Sequence, residues 1–204
     1  MNGFNSKITG WLALLVGLLG ILAVVSLIVF FISSLSFMGT LNDKINAVTG
    51  ILSAALATAL QSSLRQLAPR LRLILLIGTW VGAFAVAFGS WLVVTGRTGF
   101  ELASYYYFFG NGLIGFWLWM LNRMTRRQNS WPRQMNGLGL IAGAFMMVGL
   151  LGLYGILAGL DGGGYSPLIM VTGISFLGIG VLYPIWCLRL GGWILSKQEN
   201  VLLV

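Results

Sequence analysis

The chain has 204 residues, of which 58% are hydrophobic and only 8% charged; twelve Lys/Arg face four Asp/Glu, and the mean hydropathy is +0.92. A soluble domain carries charge on about a quarter of its residues, so this composition excludes a water-facing globular surface and makes lipid the expected solvent of a single domain over 1–204. There is no histidine and one cysteine, Cys187, which excludes an intrachain disulfide, imidazole metal ligation and histidine acid–base catalysis.

The charges punctuate the chain rather than fill it. From Lys7 to Asp43, Lys44 to Arg65, Arg72 to Arg97, Glu101 to Arg123, Arg133 to Asp161 and Asp161 to Arg189, the intervals free of Asp, Glu, Lys and Arg hold 35, 20, 24, 21, 27 and 27 residues. A helix crosses hydrocarbon with about 20 apolar residues, so each interval predicts one span and none holds two. The expected class is an all-α, polytopic membrane protein with six transmembrane helices in three hairpins.

The first span is expected over 9–35. Its apolar run exceeds the roughly 7–15 residues of a signal-peptide core and no A-x-A site follows, so it reads as an uncleaved span. The second, over 45–66, is rich in small and hydroxylated residues and is expected to be shielded by its neighbours. Asn46, Thr49 and Ser53 lie along one of its faces, and Asn42 is expected to cap it.

The third span, over 70–95, carries Gly78, Gly82, Ala85 and Gly89 on one face. Small residues at this spacing let helices approach closely in lipid. The fourth, over 100–122, follows a T-x-x-E capping box, Thr98 to Glu101. It holds Asn111, the strongest polar group at mid-depth, which is expected to make an interhelical hydrogen bond. Asn111 with Asn46, Thr49 and Ser53 defines a candidate polar cavity.

The fifth span, over 134–159, repeats the glycine spacing at Gly139/Gly143 and Gly155/Gly159. The sixth, over 167–190, begins with an N-cap serine and N1 proline, Ser166-Pro167. Within it, Pro184 lacks an N–H and frees a carbonyl one turn earlier, near Gly180, which predicts a kink.

Six spans place both termini on one side. That side collects ten Lys/Arg: Lys7, Arg65, Arg70, Arg72, Arg123, Arg126, Arg127, Arg133, Arg189 and Lys197; the other has Lys44 and Arg97. The excess of positive charge makes the first side cytoplasmic. Arg123, Arg126, Arg127 and Arg133, within RMTRRQNSWPR, form the expected second cytoplasmic loop. Anionic lipid headgroups are the expected contact there, with an acidic protein partner as the sharper alternative. Tyr105 to Tyr107 at one face, and Trp117, Trp119, Trp131, Trp186 and Trp193 towards the other, are expected as interfacial belts.

The predicted span interiors contain no Asp, Glu, Lys, Arg or His, the groups that proton relays, charge-coupled transport and voltage sensing use. No serine has a partner base and no carboxylates pair within a cleft. Cys187 reads as a small apolar filler. The outer acids Asp43, Glu101 and Asp161 stand 58 and 60 residues apart; helix capping accounts for them, and an enzyme would need them to converge.

Several of these features, Asn42-Asp43, Ala68-Pro69-Arg70 and the segment LYPIWCLRLGG at 182–192, resemble bacterial six-helix membrane proteins of unknown function. The resemblance implies six helices in a bacterial inner membrane and supplies no activity or catalytic residue. The leading expectation is a non-enzymatic scaffold, accessory subunit or assembly partner, binding another membrane protein or itself and requiring no cofactor or nucleic acid. The alternative is a carrier or channel for a small neutral solute using the cavity around Asn111.

Overall fold

The computed structural model describes residues 3–161 and 166–202, and nearly all of them are helical. Six helical rods follow one another: α1 (Gly3–Ser33), α2 (Ser36–Leu64), α3 (Pro69–Val94), α4 (Phe100–Arg127), α5 (Arg133–Leu157) and α6 (Pro167–Gln198). Five of them, all but α4, are long and apolar enough to cross a membrane.

The helix ends follow from local chemistry. Gly96 (φ 65°), Asn129 (φ 48°) and Gly159 (φ 61°) adopt the left-handed conformation that ends a helix. After each, the next N–H reaches back five residues: Arg97 to Leu92, Ser130 to Thr125 and Leu160 to Gly155. The same closing motif thus satisfies the last carbonyls of α3, α4 and α5. Pro69 occupies the first turn of α3, where its missing N–H costs nothing. Ser166 caps α6 as expected, its hydroxyl accepting from the Ile169 N–H at 3.3 Å.

Two sequence expectations about helix starts are corrected. α2 begins at Ser36, nine residues before the expected 45, because the α1–α2 turn needs only Ser34 (φ 56°) and Leu35. Asn42 and Asp43 therefore lie about two turns inside the helix, and Asn42 caps nothing. The T-x-x-E box before α4 does not close either. Thr98 Oγ1 and the Gly99 N–H both donate to Asp161 Oδ2, at 2.6 and 2.8 Å, so the cap comes from the α5–α6 connection.

Each rod packs on the next, and α6 lies against both α5 and α1, so the bundle closes on itself. α4 also touches α2 and α6 and is the innermost rod, with 14 of its 28 residues buried. An internal helix faces protein on most sides and can carry Asn, Tyr and Gly instead of large aliphatics. That explains why α4, free of Asp, Glu, Lys and Arg from Leu102 to Asn122, is still insufficiently apolar to qualify as a span by itself.

The central position of α4 also corrects the aromatic belts. Trp117 and Tyr105 are fully buried, as is Trp186 on α6, so they are core residues and not interfacial ones. Glycine works as expected at some positions. Gly82 lies against the backbone of Gly110, Gly89 against Ala103 and Tyr106, and Gly143 against Gly115 and Trp119, which brings α3 and α5 onto α4. Gly78 and Gly159 have nothing close by, so only one member of each of their pairs serves packing.

The apolar core sits towards the arginine-bearing end. Leu56, Leu60 and Leu64 of α2, Ile114, Trp117, Leu118 and Leu121 of α4, and Trp186, Cys187 and Leu190 of α6 form one cluster. Its polar groups are few and mostly paired. Trp186 Nε1 donates to Asn122 Oδ1 at 3.1 Å, and Thr125 Oγ1 donates to Asn136 Oδ1 at 2.7 Å. The Trp117 indole N–H is buried without a partner.

Candidate functional site: a polar cleft between α2, α3, α4 and α6

The end of the bundle opposite the arginines is built differently. Asn42, Asn46, Thr49 and Ser53 recur at helical spacing and make one polar stripe down α2. The stripe meets α4 at Ala103, Ser104, Tyr107 and Asn111, which share a face for the same reason. Between them lies a cavity of about 90 Å³, open at one side and lined also by Gly89 and Ser90 of α3 and by Phe176 of α6. A smaller one, about 20 Å³, continues inward to Thr49, Asn111 and Tyr183. The two share Asn42, Asn46, Tyr107 and Phe176 as common walls. One water needs roughly 10–15 Å³ of such space, so the outer chamber has room for several waters and the inner one for a single water.

Three of the four residues of the expected cavity, Asn46, Thr49 and Asn111, line the inner chamber together. Ser53 lies one turn deeper, its hydroxyl donating to the Thr49 carbonyl at 2.7 Å, outside the chamber lining. Asn111 does not make the expected interhelical bond: its Nδ2 donates to the Tyr107 carbonyl of its own helix at 2.9 Å. Below it the Tyr183 hydroxyl is buried without a hydrogen-bond partner, although Ser53 and Cys187 lie near it. The cleft ends there, against the apolar core.

Asp43, Asn42, Ser90 and Tyr107 are site residues that sequence reasoning missed. Charge marks the expected helix end, which puts Asn42 at the cap of α2 and Asp43 among the acids at the helix ends. Extending the α2 stripe backwards from Asn46 by one turn would have found Asn42. Nothing in the sequence points Ser90 or Tyr107 at that stripe, since that depends on how α3 and α4 are rotated.

A hydrogen-bond chain orients the mouth of the cleft. Asn46 Nδ2 donates to Asn42 Oδ1 at 3.2 Å, and Asn42 Nδ2 donates to Asp43 Oδ1 at 3.5 Å. Both carboxamides thus donate an N–H to a neighbouring acceptor, and all three side chains line the outer chamber. Among the described residues, no Lys or Arg pairs with Asp43; its side-chain hydrogen bond is with Asn42, and Tyr107 lies close enough to feel its charge. Lys44 is exposed.

The α6 wall is irregular where it meets the cleft. Leu177–Leu182 form a π-helical turn, and Ile179, Gly180, Tyr183 and Pro184 line the inner chamber. The expected proline kink takes this form: Pro184 cannot donate to Gly180, and the chain takes up the mismatch by widening a turn. Gly178 packs closely on Ala142 and Met146 of α5 and Gly180 on Val24 of α1, which holds the widened turn in place.

The outer acids do not assemble a metal centre. No three His, Cys, Asp or Glu side chains among the described residues are grouped to hold an ion. Glu101 accepts from the Tyr105 hydroxyl at 2.9 Å, and that hydroxyl also meets Ser166 Oγ at 2.6 Å. Asp161 is held below the ordinary carboxyl value of 3.8 by the Thr98 hydroxyl and the Gly99 N–H.

At the opposite end, Arg123, Arg126 and Arg127 border one shallow, open groove with Trp119 and Leu140, while Arg133 begins α5 outside its lining. The Arg123 guanidinium lies 4.9 Å from the centre of the Trp119 ring. Trp131 stands 6.2 Å from both Trp186 and Trp193, so an aromatic cluster closes this end behind the arginines.

Comparison with protein-family models, with curated proteins and with solved structures gave no match. The resemblance to bacterial six-helix membrane proteins therefore rests on its short motifs.

Proposed function

We propose that the chain is a six-span integral membrane protein of a bacterial inner membrane, and that its cleft binds a small polar solute from the extracytoplasmic side as part of a carrier. The arginine-bearing end, with both termini, faces the cytoplasm. α4 crosses with the other five because its neighbours cover its polar face. The observation that carries this reading is the cleft itself: a polar chamber at the acid-bearing end, reaching Asn111 and stopping at a closed apolar core.

Irregular backbone at membrane depth is tolerated where it lines a cavity or is enclosed by protein, and broken helices line solute sites in many transporters. The π-helical turn beside Pro184 fits that description. With the inner end sealed by Tyr183 and Trp186, the present form is open to one side only. That argues for a carrier over a continuous channel.

The test is water access from a defined side. A cysteine placed at Asn46 in intact cells is expected to react with a membrane-impermeant thiol reagent added outside. One at Leu118 is expected to stay unreactive. An inert Asn46→Cys, or reporter tags placing the Arg126 loop outside, would end this reading.

The scaffold reading is second, and one feature favours it. The α1–α2 tip exposes Phe31, Ile32, Leu35 and Phe37, at 62, 81, 53 and 67%. Stoichiometric co-purification lost on polar substitution of Phe37 would support it over the carrier.

A further inference from the structure

We infer that the ligand of the outer chamber is a small monovalent organic cation, a primary ammonium, with Asp43 as its counter-ion. This rests on the cleft being a solute site. A carboxylate in a narrow, largely apolar setting is costly unless it is paired or hydrogen-bonded. Asp43 has only one weak protein donor, Asn42 Nδ2 at 3.5 Å, and no cation among the described residues. Its neighbours in the chamber supply what an ammonium group recognises. Oxygen acceptors come from Asp43, Asn46 and Ser90, and aromatic surfaces from Phe100, Tyr107 and Phe176.

Ser90 and Tyr107 line the same chamber, and Tyr107 lies close enough to Asp43 to feel its charge. An ammonium donates three hydrogen bonds and accepts none, which matches a wall of acceptors. Aromatic faces attract cations through their ring quadrupole. A divalent metal is the wrong occupant, because calcium takes six to eight oxygen ligands and about two carboxylates balance its charge, whereas here there is one. The chamber, about 90 Å³, admits an amine of a few heavy atoms. The alternative expectation of a neutral solute puts Asp43 outside the span; its position inside α2 brings a carboxylate to the chamber.

The test uses the full chain in lipid nanodiscs with Ser90→Cys as reporter. The native Cys187 is fully buried and gives the unreactive background. Rates for aminoethyl, sulfonatoethyl and methyl methanethiosulfonate are normalised to a free thiol. The aminoethyl reagent is expected to outpace the sulfonatoethyl one by about tenfold or more, as a singly charged cleft concentrates counter-ions. Asp43→Asn should bring the ratio close to one, and Asp43→Glu should keep it, which separates loss of charge from loss of fold. Millimolar ethylammonium should slow the methyl reagent, and acetamide should not. A ratio near one in the unmodified chamber, or a preference that survives Asp43→Asn, overturns the cation assignment and leaves the cleft standing. A Ser90→Cys that no reagent reaches overturns the cleft and the assignment together.

Discussion

At the arginine-bearing end, Leu60, Leu64, Trp117, Leu121, Trp186 and Leu190 fill the bundle, and the buried polar groups Asn122 and Asn136 are tied to Trp186 and Thr125. At the other end Asn42, Asn46, Ser90, Tyr107 and Asn111 border space that the chain leaves empty, and their hydrogen bonds run within a helix or not at all. Similar residue types therefore play opposite parts. A carboxamide enclosed by side chains must find a partner, and its pairing fixes how two helices meet. A carboxamide beside a water-sized cavity has no such obligation and stays available to a ligand.

The largest expected effect breaks the closed end. Trp186→Ala removes a fully buried indole and should cost about 3–5 kcal/mol of stability, read as a loss of folded protein in a detergent or nanodisc unfolding titration. Asn122→Leu sharpens the contrast, because it strands the Trp186 N–H in the core; roughly 1–3 kcal/mol is expected. A double cycle with Trp186→Phe should recover much of that loss, since the stranded donor is then gone. Asn111→Leu is the matched change at the open end. Its amide bonds only to a carbonyl of its own helix, so stability should move by less than about 1 kcal/mol. If Asn111→Leu costs as much as Asn122→Leu, the two ends are packed alike and the contrast collapses.

The smallest effect concerns the outer connections. The Asp161 carboxyl is depressed by its bonds to Thr98 and Gly99. A depressed carboxyl adds stability that is present above its unfolded value of 3.8 and lost as pH falls through the folded value. Unfolding midpoints measured from pH 6 down to pH 3 should fall in the native chain, and less steeply in Asp161→Asn. The side chain is exposed, so the difference will be modest. Identical slopes would mean that the contact does not hold α4 to the α5–α6 connection in solution.

Much of the fold was readable because helix formation in an apolar chain is a local matter. Intervals without charge marked all six rods, Ser166-Pro167 marked the start of α6, and Pro184 marked an irregular turn. The errors have one physical source. Charge reads as a sign of the helix end, yet a helix whose polar face meets a cavity can carry Asp43 well inside its length. Trp117 and Trp186 were expected at an interface for a related reason: composition gives an aromatic residue its preference for a boundary, but not which side of the helix the neighbours cover.

The sequence by itself marked six helical intervals, read there as six spans, because backbone polar groups away from water must bond within their own segment and hydropathy adds along it; five of the six helices are long and apolar enough to cross a membrane. Only the tertiary structure decided that α4 lies innermost, that Asp161 caps α4, and that Asp43, Asn46, Ser90 and Tyr107 meet at one chamber. Those facts depend on the rotation and relative height of separate helices. Close contacts across them, such as Gly82 on Gly110, set both quantities, and no single segment encodes them.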